Sequence, residues 1–216
     1  YNYWGGRKDF IKSLEDQGHL VFELSLGPVS SNWERAIEAY YQLKGGQVDY
    51  GKAHSEKYSL IQRPPGKSYD GLYKNWDQDH PIHIIAHSMG GQTARMLQFL
   101  LTNVIYFDES ADIKEKSILL GDQQNYMIKS ITSISTPHNG TTLTEIVTKT
   151  VPFVQYFVGL AGVIGTDFYD FDLDQWGFLR KNNERWLSYM NRMRTHKAWA
   201  TKNISSWDLG IEGSKE

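Results

Sequence analysis

Residues 81–95 read PIHIIAHSMGGQTAR, and this stretch decides the fold that the sequence predicts. A β-branched apolar run ends at Ala86, a serine follows at position 88, and two glycines precede a segment with an apolar helical face. This order is typical of a nucleophile elbow, a sharp strand-to-helix turn that lifts a serine clear of the sheet. The usual pattern is Gly-x-Ser-x-Gly. Ala86 stands at the first glycine position, and its single methyl group is small enough for the turn.

A nucleophile elbow at this place would supply several elements of a reaction. It would project the Ser88 hydroxyl toward a base and aim the backbone N–H of Met89 at a developing oxyanion. The positive end of the following helix would face the same charge, and Gly91 would let that helix begin close to the strand. A short motif alone favours the plainer interpretation, an ordinary strand–turn–helix with an exposed serine. Because strand, serine and helix occur in the required order, the catalytic interpretation is favoured here.

Strands and helices alternate along the rest of the chain. Cap, turn and periodicity signals predict a helix over 9–17, a strand over 20–26, a helix over 33–43, irregular structure over 47–72, a strand over 127–136 and mainly helix after 141. Strands that alternate with helices indicate an α/β fold with a parallel sheet. The length and composition fit one domain over residues 1–216.

Composition excludes several classes of protein. The chain has 216 residues and a net charge of −2 with both signs mixed, so nothing indicates nucleic-acid binding. Cysteine is absent, which excludes disulfides and thiol chemistry. Residues 151–165 are apolar but contain Pro152 and three glycines, and they fall short of the ~20 residues that span a bilayer. The first residue is Tyr1 and no signal-peptide pattern is present, so we expect a piece of a longer or processed protein.

The elbow and several other motifs together resemble one family. The chain is similar to the large secreted lipases of staphylococci and thermophilic bacilli, which are α/β-hydrolases. The matching pieces are YWGG at 3–6, SN at 31–32 with ERA at 34–36, GGQVDYG at 45–51 followed by His54, HIIAHSMGGQT at 83–93, SISTPHNGT at 133–141 and DQWGF at 174–178. They run almost from end to end of the chain, and their combination is more specific than any single motif.

This resemblance implies a carboxylic ester hydrolase, a triacylglycerol lipase that acts on lipid at a lipid–water interface outside the cell. It implies an α/β-hydrolase fold, with a mainly parallel sheet and helices on both faces, truncated at both ends. The second oxyanion donor is expected before Tyr1, and the catalytic Asp and His are expected beyond the end of this chain. A family-type insertion is expected around 45–75 and a lid-like segment around 141–180. The chemistry itself needs no cofactor.

The resemblance also implies a structural zinc ion held by two aspartates and two histidines. By motif, His54 and Asp174 match two ligands, and Asp9 is the candidate for a third. The second histidine would fall at Leu60, and no histidine occurs from 55 to 79. Since structural zinc takes four ligands, we favour the alternative in which His54 forms hydrogen bonds within its loop. Any calcium requirement is left open.

Other interpretations stay open at the level of sequence. His138 could approach Ser88 as an internal base, although a hydrogen-bonded turn residue is the simpler interpretation. Residues 151–165 are either a lid, with Phe153, Phe157 and Val158 lining an acyl pocket, or a buried helix. The chain could also be a truncated or inactive hydrolase-like module that binds lipid or a partner, or part of a phospholipase or acyltransferase.

Overall fold

A computed structural model of the chain describes residues 4–5, 7–104, 117–121, 123–142, 174–177, 181, 183–194, 196–197 and 201–215. In chain order the elements are α1 (Phe10–Glu15), α2 (Asn32–Lys44), β1 (Gly46–Gln47), α3 (Lys52–Tyr58), β2 (Ser68–Tyr69), β3 (Ile82–His87), α4 (Met89–Thr102), α5 (Ile118–Gly121), β4 (Ile128–Ile134), α6 (Trp186–Arg194) and α7 (Ser205–Asp208). Short 3-10 helices cover Asp174–Trp176 and Gly213–Lys215.

A pair of parallel strands, β3 and β4, carries the elbow. Ile84 pairs with Ile131 and His87 with Ile134, so the two strands end side by side. Alternate residues of β3 face the core, whereas Ile85 on the other face is 52% exposed. The predicted strands at the elbow and over 127–136 are therefore confirmed, and so is the parallel direction expected of an α/β fold.

The core lies between this strand pair and the helices α2 and α4, which pack against each other. Ser31 and Glu34 begin α2 with a capping box, in which each side chain accepts the backbone N–H of the other residue. Nearly all of α2 is buried, because strands, loops and α4 surround it. The buried apolar residues form one cluster: Ala36, Ile37, Ala39, Tyr40, Tyr41, Leu43, Val48, Tyr50, Trp76, Leu97, Leu100, Leu101, Leu119, Leu120 and Met127.

The predicted strand over 20–26 is wrong, because the structure has no strand there. Side chains of α2, and not a neighbouring strand, form hydrogen bonds with the backbone of this segment. The Gln42 amide donates to Ser25 O at 2.5 Å and accepts from Ser25 N at 3.2 Å. Gly27 N–H donates to Glu38, and its carbonyl accepts from Arg35. The apolar alternation therefore marks a half-buried extended segment rather than a sheet member.

Residues 45–71 form a closed excursion between α2 and β3, where irregular structure was predicted. It contains the helix α3 and the two-residue antiparallel pair of β1 with β2. Its two ends meet at Gly45 and Gly71, both with positive φ. A Cβ on Gly45 would lie 2.9 Å from Asp70 O, and one on Gly71 would lie 2.8 Å from Lys44 O. Only glycines allow the chain to leave and return at one point.

A buried ion pair ties this excursion to α2. Lys67 Nζ lies 2.6 Å from Glu38 Oε1, and the two side chains are 2% and 0% exposed. Glu38 also accepts the Tyr50 hydroxyl at 2.6 Å, so its carboxylate is well provided with donors. Removal of either partner of such a pair lowers the stability of the folded protein, because the other charged group stays buried without its ion-pair partner.

A smaller apolar cluster joins the part of the chain after residue 173 to the rest. It contains Trp176, Tyr189 and Ile204, with Val29 and Leu60 packed against it. The lid interpretation of residues 151–165 falls outside the described residues. Among the helices that the structure describes, none is long and apolar enough to cross a membrane.

Candidate active site

The turn between β3 and α4 holds Ser88 in a strained conformation. Its φ of 54° and ψ of −128° lie outside the regions that L-residues ordinarily occupy. Ser88 N–H donates to Ile134 O at 2.9 Å, at the end of the neighbouring strand, and Gly91 N–H donates to Ser88 O at 3.1 Å. Strain of this kind costs about 1–3 kcal/mol and persists where the surroundings enforce it, most often at functional sites.

The strained turn leaves polar groups of Ser88 and Met89 available for chemistry. The Ser88 hydroxyl does not cap its own helix, and in the described part of the chain it has no hydrogen-bond partner. The Met89 N–H, in the first turn of α4, has no backbone acceptor among the described residues. A hydroxyl and a helix N-terminal N–H side by side can form a new bond and hold the negative charge that results.

Small residues on both sides of Ser88 make the turn sterically feasible. A Cβ on Gly90 would meet Ala86 Cβ at 3.6 Å, an ordinary contact, so a methyl group at position 86 fits. A Cβ on Gly91 would lie 2.1 Å from Thr136 Oγ1 and 2.7 Å from its methyl group. Gly91 is therefore required where α4 crosses the end of β4, as the sequence predicted.

The two residues after the glycines fasten α4 to its neighbours. Thr93 Oγ1 accepts from Arg35 Nε at 3.0 Å and donates to Asn32 Oδ1 at 2.9 Å, which joins α4 to α2. Gln92 Nε2 donates to Pro137 O at 2.7 Å, which joins α4 to the turn after β4. Burial lowers the pKa of Arg35 to about 10, although the nearby carboxylates of Glu38 and Asp208 oppose that shift. The elbow is thus braced from two sides by contacts distant in sequence.

His138 is occupied elsewhere. Its Nε2 lies 3.0 Å from Ser133 Oγ, and its Nδ1 lies 3.3 Å from Arg95 Nη1. A general base of the triad type needs an acceptor, usually a carboxylate, at the nitrogen that does not face the nucleophile. The Arg95 guanidinium is a donor and does not provide that acceptor. The contacts therefore support the hydrogen-bonded turn residue and not an internal base.

Comparison with known proteins agrees with this geometry. Residues 1–216 match the family model described as Lipase-like, C-terminal domain. The chain belongs to this family of lipases. It is 40% identical to "Lipase" of Staphylococcus hyicus over 226 residues and 37% identical to "Lipase 1" of Staphylococcus aureus over 222 residues, in both cases across 100% of the chain. The resemblance to staphylococcal lipases is therefore confirmed.

Solved structures extend the likeness to three dimensions. The crystal structure of Staphylococcus hyicus lipase superposes with a TM-score of 0.88 over 99% of the chain, at 40% identity. EstA of Clostridium botulinum gives 0.81 over 100%, and lipase 1 of Pelosinus fermentans gives 0.79 over 99%, both at 37% identity. The chain covers 34% and 32% of the two curated relatives and 51–57% of these solved chains. This lipase-family chain thus spans about a third of the length of the curated relatives.

The candidate zinc ligands Asp9 and His54 bond to other side chains or backbone groups in the described part of the chain. Asp9 caps α1 by accepting Lys12 N–H at 2.9 Å. The carboxylate beside His54 is that of Glu34, with Oε1 at 2.6 Å from His54 Nε2. Glu34 was missed because its place in the first turn of a predicted helix gives no signal of a contact with a histidine 20 positions away. The second oxygen of Glu34 serves the capping box of α2, and Oε1 is left for His54.

The described residues around His54 do not fit a zinc site of four ligands. Among the described residues no group of three or more His, Cys, Asp or Glu is arranged to hold a metal ion. Glu34 Oε1 also accepts Asn203 Nδ2 at 2.6 Å, and the His54 ring stacks on Trp33 at 4.8 Å. Of Asp174, only its position at the start of a 3-10 helix is described. His54 lies in the helix α3 and bonds to Glu34 of α2, so the hydrogen bonds within its own loop that we favoured from the sequence are replaced by a contact between two helices. Zinc binding stays a prediction that these contacts do not support.

Proposed function

We propose that this chain is the nucleophile-bearing part of a serine ester hydrolase, a triacylglycerol lipase, in which residues 1–216 form one domain of the α/β-hydrolase type. The observation that carries the proposal is the strained backbone of Ser88 between a parallel strand and a helix N-terminus. Backbone strain of this size needs enforcement from the surroundings, and the elbow puts that strain at a free hydroxyl. The family membership supports the same chemistry.

The proposed reaction is acyl transfer through Ser88. Its Oγ attacks the ester carbonyl carbon while a base takes the hydroxyl proton, and the Met89 N–H donates to the oxyanion of the tetrahedral intermediate. Collapse of this intermediate breaks the bond to the alcohol, which leaves with the proton, and the acyl group stays on Ser88. Water then attacks the acyl-enzyme and releases the fatty acid. No step passes through a metal ion.

The base and its carboxylate are proposed to come from residues of the full protein outside this chain. Three described histidines near the elbow in sequence or space, His83, His87 and His138, lie on β3 or in the turn after β4. His83 Nδ1 bonds to Ser130 Oγ at 2.7 Å, and His138 is held by Ser133 and Arg95. The resemblance supplies the order Ser, Asp, His along the chain, which puts both partners after Ser88. Secretion and action at a lipid–water interface are part of the same proposal and come from the resemblance.

The decisive test is replacement of Ser88 by alanine in the full-length protein. Hydrolysis of p-nitrophenyl esters and of emulsified triacylglycerol should fall by on the order of 10³- to 10⁶-fold, as when a catalytic serine is removed. Ser133→Ala is the matched control, because it removes a hydroxyl from β4 that bonds to His138, and activity should stay within a few-fold. Full activity in Ser88→Ala, or loss of activity in the control alone, would contradict the nucleophile assignment.

Labelling with a fluorophosphonate separates an active serine hydrolase from a module that binds lipid without catalysis. The probe should modify Ser88 of the full-length protein, since it reacts with activated serines, and Ser88→Ala should remain unlabelled. A panel of triacylglycerols, phospholipids and acyl acceptors then distinguishes lipase from phospholipase and acyltransferase activity. Absence of labelling in a folded full-length protein would favour the inactive module.

A further inference from the structure

Gln92 is a buried residue of α4 that has no role in the proposed reaction of Ser88 and Met89. It is 8% exposed and lies one helical turn beyond Ser88. Its Nε2 donates to Pro137 O at 2.7 Å and lies 3.4 Å from Asp208 O. One amide group therefore connects α4, the turn after β4 and the end of α7.

The turn that Gln92 holds is the segment that encloses the elbow. Ile134 O accepts the Ser88 N–H, and Thr136 occupies the space beside Gly91. Ser135, between them, has a φ of 51°, so this segment is strained as well. Two strained residues on adjoining segments persist where other contacts hold both segments together. Among the described hydrogen bonds from side chains of α4 to the turn after β4, the Gln92–Pro137 bond lies nearer to Ile134 in sequence than the Arg95–His138 bond.

Stability alone does not favour a glutamine at this position. Gln92 Oε1 is buried and has no hydrogen-bond partner in the structure as described. An unpaired buried carbonyl oxygen is unfavourable, and an apolar side chain of similar volume would remove that penalty. The same substitution would also remove the hydrogen bond that Gln92 Nε2 donates to Pro137 O. We therefore expect replacement of Gln92 by an apolar residue to shift the turn 134–137 relative to Ser88, while the protein still folds.

We propose that Gln92 is a positioning residue for Ser88, which acts by clamping the turn 134–137 across the elbow. The proposal rests on the proposed role of Ser88. Pro137 O is fixed against α4, so Ile134 O stays in place for the Ser88 N–H and the serine keeps its strained conformation. A displacement of about 1 Å at a catalytic group can cost on the order of 10²-fold in rate, which sets the scale of the expected effect.

The test is Gln92→Leu in the full-length protein, with Gln98→Leu as the matched control. Gln98 lies on the same helix, is half-buried, and has no side-chain hydrogen bond among those of the described residues. In Gln92→Leu, kcat and the fluorophosphonate labelling rate should fall together by about 10- to 100-fold, with KM within about twofold and the melting temperature within about 5 °C. The control should keep wild-type rates.

Gln92→Met provides a second variant if the leucine variant does not fold. It keeps the length of the side chain but presents a thioether, which cannot donate, to the carbonyls of Pro137 and Asp208, and it should lower both rates by a similar factor. Wild-type kcat and labelling rate in either folded variant would overturn the proposal. A drop in melting temperature without a drop in labelling rate would overturn it too, because that result marks a purely structural residue. Failure of the proposed function is distinguished by the wild-type protein, which would then show neither turnover nor labelling.

Discussion

At the scale of single residues, the elbow shows how close packing dictates residue type. Gly90 and Gly91 are neighbours in one motif, yet they have different reasons to be glycine. Beside Gly90 a methyl group would meet Ala86 at an ordinary distance, whereas beside Gly91 it would collide with Thr136. The motif as a pattern treats the two alike, and the structure separates them.

This difference predicts that one added methyl group destabilises the protein much more at Gly91 than at Gly90. Gly91→Ala should lower the free energy of unfolding by about 1–3 kcal/mol, because Thr136 and the end of β4 must move to admit the new carbon. Gly90→Ala should change it by less than about 1 kcal/mol, since its space is free and alanine favours helix. Urea denaturation followed by circular dichroism measures both. Equal losses in the two variants would contradict the packing argument.

The sequence could predict Ser88, Met89 and the glycines because the elbow is a local structure. It could not predict the contacts that brace the elbow. Thr93 meets Arg35, and Gln92 meets Pro137, across 58 and 45 positions of sequence. Nothing in the local pattern of the elbow encodes such pairs, since they depend on how α2 and the turn after β4 pack on α4.

At the scale of elements, strands and helices with strong local signals were predictable. Helix α2 has a capping box at its start and a glycine at its end, and β4 has β-branched residues bounded by a turn. The segment 20–26 has the same alternation as a strand, yet its backbone is held by Gln42 and other side chains of α2. Alternation of apolar residues indicates that one side of a segment is buried. It does not indicate whether the backbone of that segment bonds to another strand or to side chains.

The buried ion pair between the excursion 45–71 and α2 gives a prediction at this scale. Lys67→Met should lower the free energy of unfolding by about 3–5 kcal/mol, because the buried Glu38 carboxylate would lose the ammonium group in contact with it, and the attraction of nearby Arg35 would not replace that contact. Glu38→Gln combined with Lys67→Met should recover part of this loss, since both charges of the ion pair are then removed. Urea denaturation of the single and double variants forms the measurement. A double variant less stable than Lys67→Met would contradict the argument.

At the scale of the whole molecule, one core unites α2, α4, α5 and the parallel strands. A tyrosine buried in this core should make the folded protein less stable at alkaline pH. Tyr41 is buried in that core, and its hydroxyl lies 3.3 Å from Ser117 Oγ. Burial raises the pKa of Tyr41 to about 12. An unfolded chain would ionise this tyrosine near pH 10, well before the folded protein does.

The sign of the effect follows from this difference. Below pH 10 both states keep the proton and Tyr41 contributes no pH dependence. As the pH rises from about 10 to 12, the unfolded state gains stability by ionising, so the folded protein loses about 2 kcal/mol relative to it. Tyr41→Phe should be less stable than the wild type at pH 8, because Ser117 loses its partner, but should lose less stability above pH 10. Parallel loss in both proteins over this range would contradict the assignment.

The paired glycines at the ends of the excursion 45–71 have a consequence for how this protein can diverge. The obstacle that each presents to a side chain at the other is main chain, so no compensating mutation at a third position could make room. Insertions and deletions must therefore fall between Gly45 and Gly71, because the backbone contact at these two residues fixes both ends of the excursion. We expect a tag or a binding sequence inserted at its exposed positions, such as Pro65 and Gly66, to leave the distance between α2 and the elbow unaltered.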